Sequence, residues 1–269
     1  MNGLRKFWVR LALAASLLVP IYFLGAALGT RFGLLDWRVG FGAMTYQWGA
    51  RVLLGAAGFA LIGMLLALAV PPHGRGWRMA LIALIIPCLG LAYGFYVRQS
   101  AAGVPPIHDI TTDLSDPPEF SEDVAETRAA VRCGNGLELL DARVGEFPDP
   151  ACALGPPGPS VVDLHRAAYA DLKPIELAVP PERAYEAAIA AARTQRWTLG
   201  LQDRDAGRFE ATSRSFWYGF TDDIAVRVRP RHGGSVVDVR SVSRVGISDM
   251  GANARRIRAF TEALRAASV

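Results

Sequence analysis

At 269 residues, 51% of them apolar and with a mean hydropathy of +0.22, the chain is too apolar for an ordinary water-soluble protein. A pI of about 9.2 suggests an acidic partner such as nucleic acid, but the charge is unevenly placed. Nine basic residues and one acid, Asp36, lie up to Arg98, so the surplus flanks apolar segments, where it sets topology, and nucleic acid is excluded as the expected partner.

Three apolar stretches come first, at Trp8 to Thr30, Ala50 to Pro72 and Met79 to Val97, with Arg10 and Arg51 their only charges, each near an edge. Each reaches the length of about 20 residues that a helix needs to cross a bilayer, which predicts spans at 8–30, 50–72 and 79–97. A cleavable signal peptide is the rival reading of the first, but its apolar run exceeds the roughly 7–15 residues of a signal core. Pro20 and Pro87 fall inside spans one and three, as packing features. Basic residues number five on the amino-terminal side (Arg5, Lys6, Arg10, Arg75, Arg78) and four on the other (Arg31, Arg38, Arg51, Arg98), so charge alone does not orient the spans.

From Gln99 to Leu172 the chain carries four basic and thirteen acidic residues and is rich in Pro and Gly. This composition predicts an acidic connector over 99–172, lying partly against the terminal domain, with one short helix around Phe120 to Cys133. Cys133 and Cys152 are a candidate disulfide, and two free thiols are the alternative that spacing leaves open. A bond there fits an oxidising compartment. With three spans and an internal amino terminus, the expected setting is the inner membrane of a Gram-negative bacterium with the soluble part in the periplasm.

Residues 173–269 show clear periodicity. Pro174 to Val179 suits a strand, and Pro181 opens a helix through Tyr185, Ala188, Ile189 and Ala192. Trp197 to Gln202 and Arg208 to Arg214 are strands about a turn at Asp205-Ala206-Gly207. Ile224, Val226 and Val228 alternate with Ala225, Arg227 and Arg229, the pattern of a half-buried strand. A four-residue loop near Gly233-Gly234 would set Val226 opposite Val239, Val228 opposite Val237 and Arg227 opposite Asp238. A last helix comes after the cap candidates Ser248 and Asp249, with Met250, Ile257, Phe260 and Leu264 on one face. The expected fold is therefore α+β: three transmembrane helices, then a two-layer domain with an antiparallel sheet and two packed helices.

Two segments carry a resemblance, RSFWYGFTDDIAVRVRP from Arg214 to Pro230 and VDVRSVSRVGISDMGANARRI from Val237 to Ile257. They resemble domain-of-unknown-function family 1499. PPIHDITTDLSDPP, from Pro105 to Pro118, is similar to the segment that precedes this domain in membrane-anchored bacterial members. The resemblance implies an architecture and an envelope setting, and it supplies no catalytic residues.

The hairpin register brings Asp222 near Ser243, so Asp222, Asp223, Arg240, Arg244, Asp249 and Arg255 form a candidate charge cluster. One reading is an anion or headgroup site on Arg240, Arg244 and Arg255 near a helix N-terminus; the plainer one is a structural ion-pair network. Asn253 falls on the buried face, with the backbone of the Val245 to Ser248 loop as its expected partner. Phe216, Trp217, Tyr218 and Phe220 would line an apolar ligand pocket or simply be core. Gly246-Ile247-Ser248-Asp249-Met250-Gly251 has one residue too many for a nucleophile elbow. The four histidines lack ligand spacing, and His108 with Asp109 and Asp113 makes a poor metal site, so neither metal nor cofactor is expected. The leading expectation is a binding module for a lipid, small molecule or protein partner at the membrane. A metal-dependent hydrolase using Asp222, Asp223 and Asp249, or a structural partner of another membrane protein, are the alternatives.

Overall fold

The computed structural model describes residues 2–153 and 155–268, which divide into two units. One runs up to Ala102 and also includes Phe216–Gly219; the other holds Gly103–Ser215 and Phe220 onward.

The first unit is built on α1 (Asn2–Arg31), α2 (Gly49–Ala69) and α3 (Trp77–Ala101), with a wider π-helical segment at Arg38–Gln47. Among the described residues these are three helices long and apolar enough to cross a membrane. They pack through small side chains: Ala12, Ala60 and Ala83 are fully buried together, while Leu18, Ile21, Leu54, Leu65 and Ile82 face outward. Small residues let helix backbones approach where no water drives association. The Ser16 hydroxyl accordingly donates to the Ala83 carbonyl at 2.6 Å. Arg5 is buried despite its charge, because its guanidinium donates to the carbonyls of Val70 (2.8 Å) and Pro72 (2.7 Å) at the carboxyl end of α2. Both carbonyls lie just past the last turn of α2, where the helix dipole favours a cation.

The second unit is an α+β domain. Its sheet runs β1 (Asp109–Thr111), β6 (Gly234–Ser243), β5 (Thr221–Arg231), β4 (Arg208–Arg214), β3 (Thr198–Asp203), with β2 (Ile175–Leu177) also on β6. All these pairings are antiparallel. The central register sets Val226 against Val239, Val228 against Val237, Arg227 against Asp238 and Asp222 against Ser243. β1 and β2 share one edge of β6, opposite its two halves: Thr111 faces Arg240 and Ile175 faces Val237.

Helices α6 (Pro181–Thr194) and α7 (Ala252–Ala267) cover one sheet face. Alternation along β4, β5 and β6 sends Phe209, Ile224, Val226, Val228, Val237 and Val239 into this core, where Trp197 stacks on Phe260 at 5.0 Å. Alanines on α6 allow the helix to sit close, and Tyr185 and Ile189 fill the remaining volume.

The segment expected to be a connector is part of the fold. β1 completes the sheet edge, Ile107, Ile110, Leu139 and Val161 join the core, and α4 (Glu122–Ala129) and α5 (Val161–Ala168) are formed. The physical reason is that its prolines separate short elements rather than prevent them. α4 is shorter than the helix expected around Phe120 to Cys133 and is capped by Ser121, whose hydroxyl accepts the Val124 amide. A short 3₁₀ turn at Pro150–Cys152 brings Cys152 to Cys133, and the two form a disulfide with Cα atoms 5.4 Å apart.

Candidate functional site

The sheet face away from the helices carries Glu210, Asp223, Arg227, Asp238 and Arg240, and the Asp113 to Leu137 segment is tied to it by charge. Arg128, projecting from α4, donates to Asp223 at 2.7 Å and to the carbonyls of Asn135 and Ser243 at 3.0 and 3.1 Å. Arg244 grips the same carboxylate with Nε and Nη2, at 2.9 and 2.7 Å. Arg240 makes a two-point pair with Asp109, at 3.0 and 2.7 Å, and donates to the Leu137 carbonyl at 2.6 Å. Glu210 accepts from the Ser121 amide and, at 2.8 Å, from its hydroxyl.

Asp238 is fully buried between Arg227 (3.2 Å) and Arg229 (2.7 Å), which also reach Asp116 and Asp113. Burial pushes its carboxyl above the usual carboxylate range, and the two arginines oppose that without cancelling it. The Arg227–Asp238 pair is therefore covered rather than open to solvent.

The six charges expected in one cluster are distributed among separate partners. Asp223 joins Arg244 and Arg128; Asp222 pairs with Arg256 at 2.6 Å; Arg240 pairs with Asp109. Asp249 accepts the amides of Gly251 and Asn253, both at 2.7 Å, at the start of α7, where burial raises its pKa. Arg255 is exposed and donates to the Met250 carbonyl at 2.9 Å. Of the three arginines expected to form an anion site, Arg240 and Arg244 are therefore paired with carboxylates and Arg255 with a backbone carbonyl.

Asn253 is fully buried, but its partners differ from those expected. It donates to the His108 carbonyl (2.9 Å) and the Ser243 hydroxyl (3.0 Å) and accepts from Ser241 (2.8 Å) and from Arg256. The loop after β6 is instead held by Asn135, which donates to the carbonyls of Ser243 and Gly246. His108 faces the Ile247 carbonyl through Nδ1 at 3.3 Å, while Asp109 and Asp113 bond different arginines, so those three do not converge. No group of three His, Cys, Asp or Glu able to hold a metal occurs among the described residues.

The aromatic run is displayed rather than buried as core. Ser215 and Phe220 exchange two hydrogen bonds, 2.8 Å to the Phe220 carbonyl and 2.9 Å from its amide, which pinch off Phe216–Gly219 as a loop. Phe216 is 75% exposed and Trp217 53%. Tyr218 and Phe220 are half-buried.

A groove of about 700 Å³ runs between α7 and the chain entering β2, edged by Thr112, Asp171, Lys173, Glu176, Arg258 and Arg265. Arg258 holds Asp171 through two bonds, at 2.7 and 2.9 Å, and lies over the Tyr169 ring. The hydrogen bonds from Arg258 keep the Asp171 carboxyl below the usual range. None of the groove-edge residues belongs to the expected cluster, because they come from three distant segments.

The protein is thus an α+β domain, with a charge-tied second sheet face, joined in one chain to three apolar helices. It belongs to the family described as a protein of unknown function (DUF1499), which matches residues 109–264. No curated protein matches the chain.

Proposed function

We propose that the protein is a multi-pass bacterial inner-membrane protein whose α+β domain lies on the periplasmic side and binds a lipid, small molecule or protein partner. The open groove beside α7 supports the binding reading, since Lys173, Arg258 and Arg265 stand there beside Asp171, Glu176 and Glu262. A mixed-charge rim of this kind suits a zwitterionic or peptide-like ligand. The Cys133–Cys152 bond supports an oxidising compartment, and three spans with an internal amino terminus lead there.

The test is charge reversal, Lys173→Glu with Arg265→Glu, in full-length protein purified in mild detergent. Mass spectrometry should find a lipid, metabolite or protein kept by the parent and lost by the variant at unchanged melting temperature. Identical co-purifying species would remove the groove from the reading. Reaction of Arg204→Cys with a membrane-impermeant thiol reagent in spheroplasts tests the periplasmic side, and protection until lysis would contradict it.

The hydrolase alternative has less support, since Asp222, Asp223 and Asp249 are engaged by Arg256, by Arg128 and Arg244, and by backbone amides. Added divalent ions that raise the melting temperature would revive it. A structural role beside another membrane protein predicts one stoichiometric partner in the same purification.

A further inference from the structure

The loop Phe216–Gly219 displays two large aromatic rings to solvent, yet it groups with the apolar helices. Tyr218 places its hydroxyl 2.6 Å from that of Thr45, and its ring meets Phe41 edge-on at 5.1 Å. The Arg31 guanidinium lies over the Phe216 ring at 5.6 Å and donates to the Phe216 carbonyl. Arg31 ends α1, and Phe41 and Thr45 lie in the link to α2, so the loop sits at the level where two apolar helices begin and end. That link is itself aromatic: Tyr46 and Trp48 are exposed, with Arg51 over the Trp48 ring at 5.0 Å. Aromatic rings with nearby arginines at span ends are the composition of a bilayer interface, where an amphipathic ring meets headgroups on one side and acyl chains on the other.

We infer that Phe216 and Trp217 are an interfacial membrane anchor, inserted among lipid headgroups beside the α1–α2 link. The inference rests on the reading of α1–α3 as membrane spans. The occupant is a lipid surface because the exposed rings continue the aromatic band of Tyr46 and Trp48 fixed to the helix ends. Tyr218 and Thr45 hold the loop at that depth, and Phe216 and Trp217 supply the inserted surface.

The experiment uses full-length protein in phosphatidylcholine–phosphatidylglycerol vesicles, in a Cys88→Ser background with the disulfide oxidised. An environment-sensitive fluorophore is attached at Trp217→Cys, at Leu61→Cys within α2 as the span reference, and at Arg204→Cys as the reference outside the loop and helices. Nitroxide on the lipid headgroup should quench the Trp217→Cys label at least about twofold more than the Arg204→Cys label, with aqueous iodide ordered the other way. Acyl-chain nitroxide should quench the Leu61→Cys label most. If Leu61→Cys is quenched as expected but Trp217→Cys behaves like Arg204→Cys, the anchor is overturned while the span reading stands. If Leu61→Cys escapes lipid quenchers, both fall. The fluorescence lost in Trp217→Phe supplies the same readout without a label, and its insensitivity to shallow brominated lipid would also overturn the anchor.

Discussion

Arg128 and Asp223 meet at 2.7 Å across the covered sheet face, with side chains only 3% and 1% exposed. Ninety-five residues separate them in the chain, so the contact fixes α4 to the middle of the sheet. Asp223 also binds Arg244, and Arg128 satisfies three carbonyls, so neither charge is buried without compensation. Burial still lowers the Arg128 pKa, a sign of how far the group is from water.

Removing Asp223 leaves Arg128 charged and dry, which costs about 3–5 kcal/mol for buried pairs, whereas removing Arg128 leaves Asp223 its pair with Arg244 and costs less. Asp223→Ala should lower the melting temperature of detergent-solubilised protein by many degrees, and Arg128→Ala by fewer. The double variant should lose less than the sum of the two. Arg166→Ala, which breaks an exposed pair with Asp163, should leave the melt unchanged. Equal effects from Arg128→Ala and Arg166→Ala would show that the buried pair contributes nothing special.

The disulfide ties the end of the α4 region to the 3₁₀ turn across a separation of 19 residues. Closing a loop of this length stabilises by about 3 kcal/mol through the unfolded chain. Cys133→Ser with Cys152→Ser should therefore reduce denaturant stability by that order while keeping the three apolar helices intact. Reductant should lower the parent's stability and leave the double variant's unchanged. Thiol titration of unfolded, unreduced parent should count Cys88 alone.

These two contacts also show what one sequence makes legible. The β5–β6 register was readable because Val226, Val228, Val237 and Val239 repeat with period two, and a slip by one residue would expose all four. α6 and α7 were readable from their apolar faces, and the first three helices from length and hydropathy. Charge partners were not. Arg128 and Asp109 lie in a segment whose prolines suggested a connector, and nothing local shows that Asp223 or Arg240 will meet them. β1 is three residues long, too short for alternation to register, and its existence depends on the β6 edge. The hairpin register that sets Asp222 near Ser243 suggests one cluster, but adjacent strand residues point to opposite faces, which sends Asp222 toward α7 and Asp223 toward α4.

At Gly234 the strand edge leaves no space for a side chain, since a Cβ there would collide with the Leu177 carbonyl oxygen, which belongs to the backbone. Gly234→Ala should push β2 off β6 and lower the melting temperature. Hydrogen exchange should accelerate at Ile175 to Leu177 while the amides of β5 stay protected. Unchanged protection in β2 would mean that the edge accommodates the methyl by shifting as a unit.

The last expectation concerns pH. His165 is buried, and its Nε2 accepts the Thr111 amide at 3.1 Å, a role open only to the neutral ring. Burial lowers its pKa below the ordinary 6.5, with Asp109 pulling upward and Arg166 downward; His108 is lowered for the same leading reason. In the unfolded chain both rings take up protons near pH 6.5, while in the folded chain they resist until lower pH. The unfolded state therefore binds more protons in that window, and stability falls as pH drops below 6.5 toward the folded values. Asp238 and Asp249 act in the opposite sense, because their raised values let the folded state bind protons first as the medium acidifies. The informative quantity is the difference between parent and His165→Gln, whose amide oxygen can accept the Thr111 amide without titrating. Melting temperatures at pH 7.5 and 5.5 should show a smaller acid-induced loss in His165→Gln than in the parent. Parallel losses in the two proteins would mean that His165 carries none of the dependence.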